Sequence, residues 1–325
     1  MRPRDLLLTI AALVVVASTP GCDGRPARPV PTDTGGVRVT GERVVGPRVR
    51  DLTISSPAIG EAVQVRLLTP DGWERRRPGQ RWPVLYLLHG CCDDYTSWTR
   101  DTDVADLPAL RRVLVVMPDG GRAGFYTDWW NAGSGGPPRW ETFHLHELRG
   151  LLEDRYGAGP RRAIAGVSMG GFGALSYAAR NPGMFRAAAS YSGLVHTLYQ
   201  PSGPRIVRGV LDREGADPDD LWGDPDKQEP IWRDHNPYDL APRLRSIPVF
   251  VSAGDGRPGP LDQPGMTDES GEGTLVVQSQ ALVSRLRQVG VRVQADLYGP
   301  GLHRWPYWQR ELHRSLPLLL GPLTR

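Results

Sequence analysis

The sequence predicts an α/β fold with a mainly parallel central sheet and helices on both of its faces. Three observations carry the prediction. Apolar runs too short for helices alternate with stretches of helical period, which is the pattern of strand-helix-strand units. One of these runs, Ala163 to Val167, passes through Gly166-Val167-Ser168-Met169-Gly170 into the helix formers Phe172 to Arg180, so a serine sits at a strand-to-helix turn. Further along the chain, an acidic residue and then a histidine follow predicted late strands.

The chain has 325 residues, 39% hydrophobic and 23% charged, enough for one large globular domain with a sizeable core. Its formal net charge is only +3, and its arginines are scattered without aromatic interleaving, so nucleic-acid binding has no support.

Arg2 and Arg4 precede an apolar run from Leu6 to Ala17, which suits a signal-peptide core and is too short for a permanent membrane span. Thr19-Pro20-Gly21-Cys22 resembles a lipoprotein cleavage box, with Cys22 as the lipidation site. Residues 1–22 are thus expected to export the chain, leaving it lipid-anchored at the outer face of the cell membrane or secreted. Residues 23–48, rich in Pro, Gly and Arg, read as a disordered tether, and residues 49–325 as the catalytic domain.

Val63 to Leu68 alternates as an antiparallel strand, and Trp82 to Leu88 is a continuous apolar run suited to a central strand. Arg112 to Met117 is a further buried strand, and Trp140 to Leu152 an amphipathic helix leading to the serine strand. Phe185 to Ser192 is the next strand. Leu194 to Leu244 carries helical patches broken by proline, a cap-type excursion whose Asp-Pro pairs read as turns rather than calcium ligands. Ile247 to Ser252 and Val291 to Leu297 are late strands flanking a helix over Thr274 to Gln288.

At the strand-to-helix turn, Gly166 and Gly170 lack the β-carbon that would clash with neighbouring chain, so Ser168 is presented as a nucleophile with the Met169 N–H aimed where an oxyanion would form. The loop after the Trp82 to Leu88 strand, His89-Gly90-Cys91-Cys92-Asp93-Asp94, is placed to supply the second oxyanion donor from the Cys91 N–H. Adjacent cysteines either close a strained ring or remain two thiols. Metal binding by this cluster lacks a second group at ligand spacing, so neither a metal nor any other cofactor is expected. His303, in a glycine-bounded loop after the last strand, is the candidate base. Two acids remain open, Asp255 just after a strand end and Glu272 just before a helix.

From about residue 50 to its end the chain resembles the antigen 85 mycolyltransferase group of α/β-hydrolases and, more broadly, esterases related to S-formylglutathione hydrolase. The resemblance rests on Ser56-Pro57-Ala58-Ile59-Gly60, Leu87-Leu88-His89-Gly90, Phe125-Tyr126-Thr127-Asp128-Trp129, Trp140-Glu141-Thr142-Phe143, Leu221-Trp222-Gly223 and His303-Arg304-Trp305-Pro306-Tyr307-Trp308. It implies an α/β-hydrolase fold and a glutamate-glycine acid ahead of a helix, which Glu272-Gly273 with Gln280 downstream matches. It also implies a departure: His89 stands where that group has an aspartate, and Cys91-Cys92 where a nearby arginine is found, so the group's trehalose contacts are not matched.

The expected activity is hydrolysis of a small-molecule or lipid carboxylic ester through an acyl-serine intermediate, with acyl transfer of the mycolyltransferase or diacylglycerol acyltransferase type as the alternative. A non-catalytic cell-surface binding protein on the same fold is a third reading. Trp98, Trp129, Trp305 and Trp308 could form an aromatic rim for substrate or could pack the core. The only membrane association expected is through Cys22.

Overall fold

The computed structural model describes residues 36–324. Nine strands form one sheet: β1 (Arg38–Val44), β2 (Val49–Ser56), β3 (Glu61–Leu68), β4 (Trp82–Leu88), β5 (Leu114–Pro118), β6 (Ala158–Val167), β7 (Ala188–Tyr191), β8 (Val249–Ala253) and β9 (Val293–Leu297), in the spatial order β1-β2-β3-β5-β4-β6-β7-β8-β9. The first three pair antiparallel at one edge, and β5 to β9 with β4 run parallel.

A parallel strand covered on both faces must be apolar along its whole length, and β4 satisfies that. Val84, Tyr86 and Leu88 point into one apolar layer while Leu85 and Leu87 point into the other. The first layer holds the helices Met169–Arg180 and Glu272–Gln288, through Phe172, Leu175, Leu275, Leu282 and Leu286. The second holds the C-terminal helix Trp305–Leu320 through Trp308, Leu312, Leu316 and Leu319. Each fully buried leucine contributes about 1.5–3 kcal/mol, so the alternation along β4 fixes which side chain meets which layer.

The loops that follow β4, β6, β8 and β9 all leave the same edge of the parallel sheet, where α/β proteins place their ligands. The segment Leu194 to Leu244 folds over that edge as helices Ser202–Arg213, Pro218–Trp222, Glu229–His235 and Pro237–Leu240. Its Asp-Pro pairs are turns and caps: Asp217 accepts from the Asp219 N–H, and Asp224 from the N–H groups of Asp226 and Lys227.

Two expectations need correction. The stretch expected as a tether to residue 48 contains β1, which pairs with β2 through a register shift between Val39 and Gly41. Val37 and Val39 pack against the core while Arg43 reaches Asp51 and Glu42 accepts from Arg50, so a weak alternation suffices for an edge strand. Residues 1–22 with Cys22, and the tether before Gly36, lie outside the described residues. The helix expected over Trp140 to Leu152 is interrupted by a wide i→i+5 turn at Phe143–Leu148, where His144 enters the core between Tyr177 and Asp119. Among the described residues no helix is long and apolar enough to cross a membrane.

Candidate active site

Ser168 sits between β6 and the helix Met169–Arg180 with φ 54° and ψ −119°. A non-glycine residue there stores about 1–3 kcal/mol of strain, which the surroundings must hold. They do so by close approach. A β-carbon on Gly166 would fall 2.2 Å from the Gly170 carbonyl oxygen, and one on Gly170 2.5 Å from the His89 carbonyl oxygen. The Ser168 N–H donates to the Tyr191 carbonyl on β7 at 2.9 Å.

The loop after β4 passes directly over the serine, since a β-carbon on Gly90 would lie 3.3 Å from Ser168 Cβ. Neither the Cys91 N–H nor the Met169 N–H donates to another described group. Beneath this loop His89 is buried and acts as a strut. The Gly120 N–H donates to its Nε2 at 2.9 Å, which assigns the proton to Nδ1, and Nδ1–H donates to the Gly90 carbonyl at 2.7 Å. Tyr126 donates to the His89 carbonyl at 2.9 Å. Behind it, His144 accepts from the Tyr177 hydroxyl and donates to the Asp119 carbonyl, and burial holds it down at about 4, so it is neutral. Cys91 and Cys92 form no disulfide; the Cys92 thiol donates to the Cys91 sulfur at 3.3 Å. Burial, with hydrogen bonding to Glu214, pushes the Cys92 thiol up to about 12, so it stays protonated at neutral pH.

His303 Nδ1 lies 2.6 Å from Glu272 Oε2. Glu272 is fully buried, and its other oxygen accepts from the Ser192 hydroxyl and from the Gly254 N–H at the end of β8, both at 2.7 Å. The carboxylate is also the first residue of its helix, where the helix N-terminus favours negative charge. Trp308 crosses the His303 ring edge-on at 4.8 Å between centroids and donates from Nε1 to the Ser192 hydroxyl at 3.0 Å. Asp255 is engaged elsewhere: its carboxylate binds the Arg257 guanidinium and N–H, which hold it below the usual carboxylate range.

Ser168, Met169, Gly90, Cys91 and His303 line one cavity of about 870 Å³, walled further by Phe125, Leu194, Trp305 and Trp308. Ser168 Oγ makes no hydrogen bond among the described residues; the serine-histidine contact in such sites often tightens only with substrate bound. Nucleophile candidate and histidine thus line one cavity, with the buried acid behind the histidine and two unengaged N–H donors beside the serine.

The family model Esterase, described as "Putative esterase", matches residues 56–319. The chain belongs to the esterase family. Esterase Rv1288 of Mycobacterium tuberculosis is 36% identical over 234 residues, covering 69% of this chain and 49% of that protein, so the chain spans about half the length of that relative. Diacylglycerol acyltransferase/mycolyltransferase Ag85A of M. tuberculosis is 29% identical over 280 residues, 83% of this chain and 80% of that one. The crystal structure of M. tuberculosis MPT51 (FbpC1) superposes with a TM-score of 0.66 at 26% identity, covering 82% of this chain and 96% of that chain. The nine-stranded, mainly parallel sheet is that of an α/β-hydrolase fold.

Within this chain two of the expected substrate residues lie away from the cavity. Trp98 is fully buried in the second layer, donating to the Leu88 carbonyl and packing on Tyr191 and Trp305. Trp129 donates to the Gly124 carbonyl and packs on the core, away from the cavity. Of the four candidate tryptophans, Trp305 and Trp308 line it. Ring size and apolarity look the same in core and rim, so the sequence does not separate them. The other late histidines are occupied: His196 stacks on Tyr238, His235 on Trp222, and His313 pairs with Asp103. Ser192 is the residue that sequence reasoning missed. Its one signal was its place directly after a buried strand of the parallel sheet. Among the described residues, no group of three or more His, Cys, Asp or Glu could hold a metal ion.

Proposed function

We propose that the chain is an exported serine esterase that cleaves carboxylic esters through an acyl-serine intermediate. The observation that carries this reading is His303, fixed by buried Glu272 at 2.6 Å and facing the same cavity as the strained Ser168. Ser168 Oγ attacks the ester carbonyl as His303 Nε2 takes its proton. Glu272 holds the Nδ1 proton and stabilises the imidazolium. The N–H groups of Cys91 and Met169 receive the developing oxyanion. His303 then returns the proton to the leaving alcohol, and water, deprotonated by His303, releases the acid and regenerates Ser168. Export, and anchoring through Cys22, rest on the signal-like residues 1–22.

Transfer to an alcohol is the second reading, favoured by the similarity to the acyltransferase Ag85A over 83% of this chain. The two differ only in what attacks the acyl-serine. One experiment covers both: release of p-nitrophenol from a short ester with and without trehalose or glycerol, using wild type and Ser168→Ala, with fluorophosphonate labelling of the serine. Serine-dependent release indifferent to either alcohol supports the esterase. A new ester formed on the added alcohol supports transfer. Full activity in Ser168→Ala overturns the serine mechanism.

A further inference from the structure

The helix Ser202–Arg213 walls the cavity with Arg205, Ile206, Gly209, Val210 and Arg213, a single face repeating at helical spacing. Ile206 and Val210 account for contact with an apolar substrate. The two arginines do not. Neither makes an ion pair or hydrogen bond with a described group, whereas the other charges around the cavity are mostly engaged. Asp93 and Asp101 are both held by Arg100, and Glu214 by Arg122. Of the remaining lining charges, Arg304 rests against the Met266 sulfur and Glu269 has no side-chain partner. Three guanidinium groups thus face one unengaged carboxylate.

Gly209 lies midway between the arginines, four residues from each, and they are about 12 Å apart along the helix. A β-carbon there would meet nothing within 4 Å, so packing does not require the glycine. Glycine inside a helix costs about 1 kcal/mol relative to alanine. Here it opens a seat between two free guanidinium forks, whose planar donors match a carboxylate.

We propose that the substrate is an ester bearing a second, ionised oxyacid group that is seated over Gly209 between Arg205 and Arg213. This deepens the esterase reading and rests on it. The charge sits on either the acyl or the alcohol part, and the test distinguishes them.

Binding is followed by tryptophan fluorescence in Ser168→Ala, because Trp305 and Trp308 line the cavity. Turnover is followed in wild type. One probe pair places the charge on the alcohol, 4-acetoxybenzoate against neutral 4-acetoxybenzamide. The other places it on the acyl part, the p-nitrophenyl monoester of adipic acid against its adipamide counterpart. The expected result is that the charged member of at least one pair binds five- to tenfold more tightly, in the range of a few partly screened ion pairs, and that 0.5 M NaCl reduces the ratio. Arg205→Gln/Arg213→Gln brings the ratio to about one, and Arg213→Lys restores part of it. Gly209→Leu, which removes no charge and favours the helix, also abolishes the preference by filling the seat. Equal binding within both pairs, or a preference that survives both the double variant and Gly209→Leu, overturns the proposal. Binding reads the seat and turnover reads the chemistry, so loss of turnover with an intact charge preference counts against the esterase reading alone.

Discussion

Replacing Glu272 by glutamine isolates what its charge does at the site. The carboxylate accepts three hydrogen bonds, from Ser192 and Gly254 at 2.7 Å on one oxygen and from His303 at 2.6 Å on the other. In Glu272→Gln the amide oxygen keeps the first two. The amide nitrogen replaces the second oxygen and brings N–H donors against Nδ1, which can accept only if the ring proton moves to Nε2. His303 is then in the tautomer that cannot take a proton from Ser168. Locking the wrong tautomer in a Ser-His-acid site costs about 10³–10⁴ in kcat, or about 4–5 kcal/mol of barrier. Stability changes less, by about 1–2 kcal/mol, because charge-assisted bonds become neutral ones of similar shape. Glu272→Ala would confound the two effects, leaving the Ser192 hydroxyl and the Gly254 N–H unpaired in a buried site. The assay is p-nitrophenyl ester turnover beside a thermal midpoint, with Asp255→Asn as comparison. Asp255 is bound to Arg257, and its variant should stay within about threefold of wild type. Glu272→Gln retaining more than a tenth of kcat, or Asp255→Asn losing more than it does, would refute the assignment.

Three further outcomes follow from the same geometry. Gly166→Ala places a β-carbon 2.2 Å from backbone that cannot yield, so it should cost more than about 3 kcal/mol, and an unchanged thermal midpoint would count against the tight turn. Trp308→Phe keeps a ring over His303 but loses the bond to Ser192, and should lower kcat about fivefold with KM unchanged, about 1 kcal/mol for one hydrogen bond. His144 is held neutral by burial, down to about 4, so its contribution to stability is complete above the unfolded value of 6.5 and is lost as pH falls toward 4. The contribution is about 3 kcal/mol, so the gap in thermal midpoint between wild type and His144→Gln should close between pH 6.5 and 4; a gap independent of pH would show that burial does not hold this histidine neutral.

Much of the fold was legible because a strand covered on both faces must be apolar throughout. Trp82 to Leu88 and Ile247 to Ser252 declare themselves that way, and β4 and β8 fall there within two residues. The edge strand β1 was not legible. It buries little, and its Gly and Arg content is also that of a tether. At the site, Ser168 follows from local rules, since glycines two residues on either side permit the tight strand-to-helix turn that a β-carbon at those positions would block.

What the sequence determined by itself was therefore local or periodic: the strand and helix order, the strained serine turn, and a glycine-bounded histidine loop at the end of the last strand. The residues by themselves left the acid open and only the family resemblance favoured Glu272; the tertiary structure supplies the physical reason, because Asp255 and Glu272 both follow β8 and differ in what the folded chain brings to them. Asp255 finds Arg257 two residues away, while Glu272 is carried back against Gly254 and Ser192 by its helix. The same holds for the tryptophans. Burial is a property of neighbours distant in sequence, so Trp98 became core and Trp305 became cavity wall although the residue type is identical.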